Sequence, residues 1–376
     1  MPSDPDRPFT ARADPAVEAR VARDVARLRE AFLRAVPDLE ALVLVGAFGR
    51  GEGSVVADDA GLRPLNDYDL VLVHRAGAPP GDLAPVRVAL AAELGFEHVD
   101  VELVDAGQLD RLPPTMHAFD LKAGGRVIAG DPRVLERIPA IAPEQVGLGA
   151  ARLLLFNRLT CLLQAITADD LSSEPAPARR LPMAYMAHKV MLSVATAKLA
   201  RAGQHAAHYA ERARRFAALY HGQPDLVRLV EASTRFKLAP PGRVDDPRPL
   251  WFEVREAYLS EIAEVCTLTY GRAFPDWEAF AAVYEGNRPR DALRKLKWWV
   301  LDRRKLSDIR VGQRRADVEL AELHLTAAPR RDGTFDPAAV AAAARRVERY
   351  LRARPSGFEA CRREAVRLDL TYLHPV

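Results

Sequence analysis

The sequence predicts an α+β fold in which a small α/β domain is followed by a larger all-helical domain. Near the N-terminus, apolar residues recur with a helical period, and short apolar runs with strand character follow as far as about residue 105. From about Gly147 onward the pattern is almost wholly helical and is rich in Ala, Leu and Arg. The predicted boundaries are a flexible polar tail at 1–14, an α/β domain at 15–145 and a helical domain at 146–376, with a possible subdivision near 238–249.

The elements of the α/β domain follow in order. One apolar stripe predicts the first helix, which Pro37 ends; its members are Val17, Val21, Val25, Leu28 and Phe32. The run ALVLV then predicts a strand that leads into a glycine-rich turn, and NDYDLVLVH predicts a second strand. APVRVALAAELGF predicts a helix, and EHVDVELVD predicts a third strand with alternating character.

Composition excludes several classes of protein. Hydrophobic residues make up 49% of the 376 residues, which is enough for a sizeable core. Lys and Arg number 54 against 51 Asp and Glu, and a net charge of +3 does not call for an extended nucleic-acid or membrane surface. Three cysteines lie far apart, which argues against a disulfide framework or a structural zinc site. Without a long apolar run or an apolar N-terminal segment, we expect a cytoplasmic protein with no membrane partner.

Paired acids mark the second and third strands. Asp67 and Asp69 share one face of the second strand, and Asp100 and Glu102 share one face of the third, because side chains alternate with period two. Two carboxylates about 5 Å apart repel by about 3 kcal/mol at an effective dielectric near 20. A divalent cation removes this repulsion, and hard oxygen ligands suit Mg²⁺. One acid pair is more often a solvated strand face, but two such strands behind a glycine turn favour a metal site.

The glycine turn has its own chemistry. Gly46, Gly49, Gly51 and Gly53 permit positive φ and a close approach of the backbone to a ligand. Turns of this kind present backbone N–H groups to phosphates, although many are simply tight turns. The P-loop pattern is absent, and so is a dinucleotide-binding GxGxxG in its proper context.

VLVGAFGRGEGS followed by NDYDLVLV resembles the signature of the DNA polymerase β-like nucleotidyltransferase superfamily, most closely its minimal and aminoglycoside-type members with a helical C-terminal domain. Gly46 and Ala47 fall on the Gly-Ser pair, and Arg50-Gly51-Glu52 falls on an Arg-Gly-Glu. Asp67 and Asp69 fall on the paired metal ligands. Glu102 is favoured as the third acid, with Asp100 as the alternative. The resemblance covers roughly residues 40–130.

The resemblance implies an enzyme that transfers a nucleoside monophosphate from an NTP, such as ATP, to a hydroxyl of a small-molecule acceptor and releases pyrophosphate. Two Mg²⁺ ions would be held by Asp67, Asp69 and the third acid. The triphosphate would lie against the turn and Arg50. Ala47 departs from the family pattern because a phosphate-binding hydroxyl is missing there; the backbone amides would suffice, or Ser54 would substitute. The segment before Asp67 carries an apparent insertion, VVADDAGLRPL.

Two other functions stay open. One is nucleotidylation of a protein or of a tRNA end, as in toxin-like or antitoxin-like members. The other is a regulator that binds nucleotide without turnover, against which the intact acids argue. The basic stretch around Trp298 and Trp299 is expected to be a helix with one buried tryptophan and a solvated basic face rather than a nucleic-acid surface.

Lys189 lies on the first strong helix of the predicted helical domain, and the resemblance implies that such a lysine contacts the triphosphate. If it does, Lys189→Ala should raise the KM for NTP or lower kcat by roughly 10-fold or more, about 1.4 kcal/mol. The melting temperature should not change. Steady-state pyrophosphate release measures the effect, and wild-type kinetics in the variant would identify Lys189 as an ordinary surface lysine.

Overall fold

A computed structural model describes residues 7–58, 61–96, 99–286, 307–351 and 354–372. The chain is a mixed α+β protein with a small sheet and a larger helical part, which confirms the predicted fold class at this level. It divides into two compact units, Met1–Ala151 with Ala195–Gly242, and Arg152–Val194 with Arg243–Val376.

A four-stranded mixed sheet organises the first unit. The strands of the chain are β1 (Ala41–Leu44), β2 (Val55–Asp58), β3 (Gly61–Pro64), β4 (Asp69–His74), β5 (Asp100–Asp105) and β6 (Arg126–Gly130). The order in the sheet is β5-β4-β1-β6, with β1 antiparallel to both β4 and β6, and with β4 parallel to β5. The strands predicted before and after the glycine turn and at 100–105 are therefore present. β6 was not predicted as a strand.

The two faces of this sheet are covered differently. Leu42, Leu44, Leu70 and Leu72 point to one face and pack against the apolar stripe of helix α1 (Pro15–Ala35). Helix α3 (Ala84–Leu94), which connects the parallel strands, packs on the same face. The alternate residues of the strands point to the opposite face, where they pack with Leu109 and Leu121. These strand residues are Ala41, Val43, Val71, Val73 and Val104. Leu121 belongs to helix α4 (Met116–Gly124).

The glycine turn is a single helical turn, α2 (Gly46–Gly49), which begins directly after β1. The apparent insertion before Asp67 forms an antiparallel hairpin of β2 and β3 outside the main sheet. Gly53 is required here by packing, since a Cβ at this position would lie 2.1 Å from the Phe48 ring.

The segment 7–13 differs from the flexible tail that the sequence predicts. The carboxylate of Glu18 accepts hydrogen bonds from the backbone N–H of Phe9 at 2.6 Å and of Thr10 at 2.9 Å. The N–H of Gly53 donates to the carbonyl of Phe9 at 3.0 Å. The Phe9 ring also lies under the Arg126 guanidinium, at 4.3 Å. These contacts fix the segment against the glycine turn, which composition alone does not reveal.

Helices dominate the described residues after β6. They are α5 (Gly147–Phe156), α6 (Leu159–Gln164), α7 (Ala168–Ser172), α8 (Pro177–Arg201), α9 (Tyr209–Leu219), α10 (Pro224–Leu238), α11 (Arg248–Tyr270), α12 (Trp277–Gly286), α13 (Ser307–Ala327), α14 (Pro337–Val347) and α15 (Gly357–Tyr372). The sequence predicts breaks at 169–177, 222–224, 238–249 and 329–336, and these lie before α8, on both sides of α10 and before α14. Trp298 and Trp299 lie outside the described residues. Among the helices that the structure describes, none has the length and apolar character needed to cross a membrane.

The sequence predicts a single helical domain that begins at residue 146. In the structure, residues 195–242 instead belong to the first unit, with the sheet. The contacts with the hairpin segment are specific. The Ser54 hydroxyl donates to the Lys237 carbonyl at 2.5 Å, and a Cβ on Gly242 would lie 2.7 Å from the Ala57 carbonyl oxygen. Polar contacts of this kind leave no periodic trace in the sequence, so the pattern could not assign α9 and α10 to the α/β part.

The helical second unit buries several carboxyl groups. Glu319, Glu322 and Asp369 are exposed to 3%, 1% and 2%. Glu319 is paired, since it accepts from Arg315 Nε at 2.7 Å and from the Tyr284 hydroxyl at 2.6 Å. Burial raises the pKa of Asp369 to about 6, with the negative charge of Glu319 adding to the effect, and it also raises the pKa of Glu322.

Asp369→Asn should change how stability depends on pH. Folded Asp369 keeps a proton that the unfolded chain releases as pH rises from about 4, so the wild type loses stability up to about pH 6. The variant lacks this loss, and its advantage in free energy of unfolding should grow over that range to at most about 3 kcal/mol and then stay constant.

Urea unfolding between pH 4 and 7 measures this difference. Asp170→Asn is the matched control, because Asp170 is also a buried acid of the second unit but accepts from Arg179 Nε at 2.8 Å. That variant should lose stability relative to the wild type as pH rises. A difference between Asp369→Asn and the wild type that does not vary with pH would contradict the protonation of Asp369.

Candidate functional site

The acids of β4 and β5 lie on one face of the sheet. Asp69 is aligned with Asp100, and Val71 is aligned with Glu102, in the parallel register. Val71 and Val104 belong to the face that α4 covers, so Asp69 and Glu102 point to that side by alternation. Asp67 directly precedes β4 and is half-buried. The register therefore brings the predicted acids to neighbouring positions at the end where β4 and β5 begin.

The glycine turn meets this face at Asp69. The N–H of Val45 donates to the Asp69 carbonyl at 2.8 Å, which joins the end of β1 to the start of β4. Gly46 has φ of +63°, and a Cβ there would lie 2.0 Å from Asp69 Oδ2. Only glycine satisfies both conditions, since it tolerates positive φ and leaves room for the carboxylate. The glycine turn, which is predicted to bind phosphate, is thus in direct contact with Asp69.

The two candidates for the third acid have different partners. Glu102 Oε2 lies 3.0 Å from Nε2 of His117, and both side chains are about half exposed. The hydrogen bond with Glu102 raises the pKa of His117, although burial opposes it. Asp100 Oδ1 lies 3.9 Å from Nη2 of Arg87, on the helix that covers the opposite face. By register and alternation both acids lie on the face that carries Asp69, with Asp100 aligned directly with Asp69 and Glu102 one pair further along the strand.

The donor set can be tested against a magnesium site. In the parts of the chain that the structure describes, no group of three or more His, Cys, Asp or Glu side chains is close enough to hold a metal ion. Mg²⁺ needs less, because it usually takes one or two carboxylates and completes its shell with water and substrate phosphates. Asp67 and Asp69 fit this requirement. The third acid does not complete a three-residue set in this arrangement.

Arg50 lies behind the turn and is 8% exposed. Its guanidinium is 3.6 Å from Glu52 Oε2 and 4.0 Å from Asp120 Oδ2, and it lies 5.1 Å from the Tyr209 ring centroid. Burial would lower the pKa of Arg50, but Tyr209, Asp120, Glu52 and Asp69 together raise it. The side chain is thus committed to contacts within the first unit, and its charge acts on Asp69.

Glu52, the acid of the Arg-Gly-Glu, caps a helix. Its carboxylate accepts from the backbone N–H of Tyr209 at 2.9 Å and of Ala210 at 3.3 Å. These groups begin α9, whose N-cap residue His208 makes no side-chain cap bond. A carboxylate at this end also complements the helix dipole. Glu52 therefore attaches α9 to the glycine turn.

Asp120, on α4, is the acid that joins these groups. Its carboxylate accepts from Arg212 Nη2 at 3.0 Å and contacts His205 Nε2 at 2.9 Å. Burial would raise the pKa of Asp120, but the charge of Arg212, the His205 hydrogen bond and the charge of Arg50 hold it below its usual range. Burial lowers the pKa of His205, so the ring is neutral and Nε2 donates.

The other predicted binding residues lie as follows. Ser54 is 1% exposed, with its hydroxyl bonded to Lys237 and its N–H donating to Asn66 Oδ1 at 3.0 Å, so the structure gives it a role in packing instead of phosphate binding. Gly51 has φ of +77° and faces the Pro8 carbonyl. Ala47 is buried within α2. Lys189 lies on α8, is half-buried and belongs to the second unit.

Sequence reasoning missed His117, Asp120 and Arg212. His117 and Asp120 share one turn of α4, but nothing in HAFDLK distinguishes them from an ordinary amphipathic segment. His205 hydrogen-bonds Asp120, a contact between residues far apart in the chain that the sequence does not indicate. The sequence signal for these residues is the Arg50-Gly51-Glu52 motif. If its two charged side chains are buried, their charges require partners elsewhere in the chain.

No protein-family model matches the chain, and no curated protein matches it. The geometry of the site is therefore the basis for assigning a function.

Gly46→Ala should displace Asp69, because the new methyl group and Oδ2 cannot occupy the same space. Gly77→Ala is the matched control: Gly77 has a similar φ of +70°, but a Cβ there meets no atom within 4 Å. Both variants should lose about 1–2 kcal/mol through positive φ. Gly46→Ala should lose more in urea unfolding and should weaken Mg²⁺ binding in calorimetry, and equal behaviour of the two variants would contradict the close approach.

Proposed function

We propose that the chain is a Mg²⁺-dependent nucleotidyltransferase that moves a nucleoside monophosphate from an NTP to a hydroxyl of a small-molecule acceptor. The observation that carries the proposal is the meeting of the glycine turn with Asp69, on the face where Asp67 precedes the strand and Glu102 lies on the neighbouring strand. Carboxylates beside a glycine turn are the arrangement that metal-assisted transfer from a triphosphate requires.

The chain's own residues take the following roles. Asp67 and Asp69 would hold the metal. Glu102 is the third ligand that the family resemblance implies, with Asp100 as the alternative. When bound, Mg²⁺ neutralises charge on the attacking and leaving oxygens. The backbone of Gly46 and Ala47 orients the triphosphate, because the first N–H groups of a helical turn have no partner within it.

The reaction exchanges one P–O bond for another. The acceptor oxygen bonds to the α-phosphorus, the bond from that phosphorus to the bridging oxygen breaks, and pyrophosphate leaves with the electron pair. The hydroxyl proton passes to a carboxylate of this face, and Glu102, about half exposed beside His117, suits that role.

A small acceptor is favoured over RNA by the charges. The net charge of the chain is +3, and the face itself carries Asp67, Asp69 and Glu102, which would repel a polyanion. A cationic or neutral hydroxyl compound meets no such repulsion.

Incubation with each labelled NTP and Mg²⁺, with and without cell extract, tests the proposal. With the label in the α-phosphate, label on a small molecule and release of unlabelled pyrophosphate are the expected result. Label on protein or RNA would move the acceptor to another class, and absence of nucleotide binding by the purified chain would contradict the proposal itself.

Asp69→Asn should remove transfer while the fold remains, since the backbone bond of Val45 to the Asp69 carbonyl does not involve the side chain. The loss should exceed the roughly 100-fold that a supporting residue behind a metal ligand costs. Pyrophosphate release and thermal unfolding measure the two effects. Asp131→Asn, which changes an exposed carboxylate of a turn in the same unit, should keep full activity. Activity in Asp69→Asn would show that the chemistry lies elsewhere.

A further inference from the structure

We propose that Asp120 is a positioning residue, which holds Arg50 under the glycine turn and thereby fixes the turn that contacts Asp69. The proposal rests on the proposed function for what the turn binds. Asp120 does not belong to the acid face of β4 and β5, and it acts through Arg50.

The first argument is the balance of buried charge. Arg50 and Arg212 are exposed to 8% and 6%. They face two carboxylates, Glu52 and Asp120, while His205 is neutral. Glu52 is also committed to the first N–H groups of α9. Without Asp120, Arg212 would lose the carboxylate that it contacts and Arg50 would keep only Glu52, and such an arrangement must rearrange or admit water.

The second argument is the path from Arg50 to the site. The Arg50 N–H donates to the Gly46 carbonyl at 3.3 Å, which closes α2. Its side chain packs on Gly124, where a Cβ would lie 2.5 Å from Arg50 Cγ. Gly46 in turn contacts Asp69. A movement of the guanidinium away from Asp120 therefore displaces the residue whose close approach shapes the acid site.

The third argument is the position of α4. His117 and Asp120 are one helical turn apart on α4. His117 contacts Glu102, and Asp120 contacts Arg50, Arg212 and His205. Helix α4 thus contacts Glu102 through His117, and it contacts Arg50, which lies behind the glycine turn, through Asp120.

The test compares Asp120→Asn with Asp170→Asn in the full-length chain. Asp170 is the matched control because it is a buried aspartate that accepts from an arginine, but it lies in the second unit. Amide hydrogen exchange of residues 46–53 is read without any ligand. Calorimetry with Mg²⁺ and a non-hydrolysable ATP analogue reads the binding that the turn provides.

Asp120→Asn should speed exchange of residues 46–53 and weaken analogue binding, each about 10-fold, while Asp170→Asn lowers only the melting temperature. Because Asp120 acts through Arg50, Arg50→Gln should weaken binding similarly, and the double variant should lose little more. Asp120→Glu, which keeps the charge, should bind the analogue more tightly than Asp120→Asn does. If Asp120→Asn does not fold, Asp120→Glu is compared with the wild type in its place.

Unchanged exchange and unchanged binding in Asp120→Asn, with only a lower melting temperature, would overturn the positioning role. Additive losses in the double variant would also overturn it. A wild-type chain that binds no analogue would instead contradict the proposed function, and the exchange measurement would still decide whether Asp120 fixes the turn.

Discussion

The first unit depends on the pairing of one buried arginine. Arg50 follows the glycine turn directly, and burying its charge requires carboxylates from other parts of the chain. Glu52 comes from the same turn and Asp120 from α4, with Arg212 of α9 on the far side. Satisfying this charge therefore brings together the turn, α4 and the helices of residues 195–242, which explains why those helices belong with the α/β part.

Much of the framework could be predicted because it rests on periodicity. The stripe of α1, the strands around the glycine turn and the shared face of the paired acids all follow from side chains that repeat every 3.6 or 2 residues. Alternation alone places Asp69 opposite Leu70, and the structure agrees. The resemblance favours Glu102 over Asp100 as the third acid; both lie on the face of Asp69, Glu102 beside His117 and Asp100 beside Arg87, and the choice between them stays a prediction.

The remainder could not be predicted because it depends on contacts between residues far apart in the chain. β6 is short and follows two glycines, so it gives little strand signal. Phe9 and Thr10 look like part of a polar tail until Glu18 accepts their N–H groups. Asp120 resembles any exposed acid of an amphipathic helix, and only the folded chain brings it to Arg50, Arg212 and His205. Single-sequence patterns report which face a residue occupies, and they do not report its partner.

The Arg-Gly-Glu illustrates the consequence for function. As a motif it suggests a ligand-binding arginine, whereas Arg50 is buried and Glu52 caps α9. The motif can still serve the site, because the charge of Arg50 attracts that of Asp69. Two adjacent carboxylates repel by about 3 kcal/mol at an effective dielectric near 20, and a fixed cation behind them offsets part of this. Arg50 therefore offsets part of the negative charge at Asp69, and Gly46 leaves the space that the Asp69 carboxylate needs.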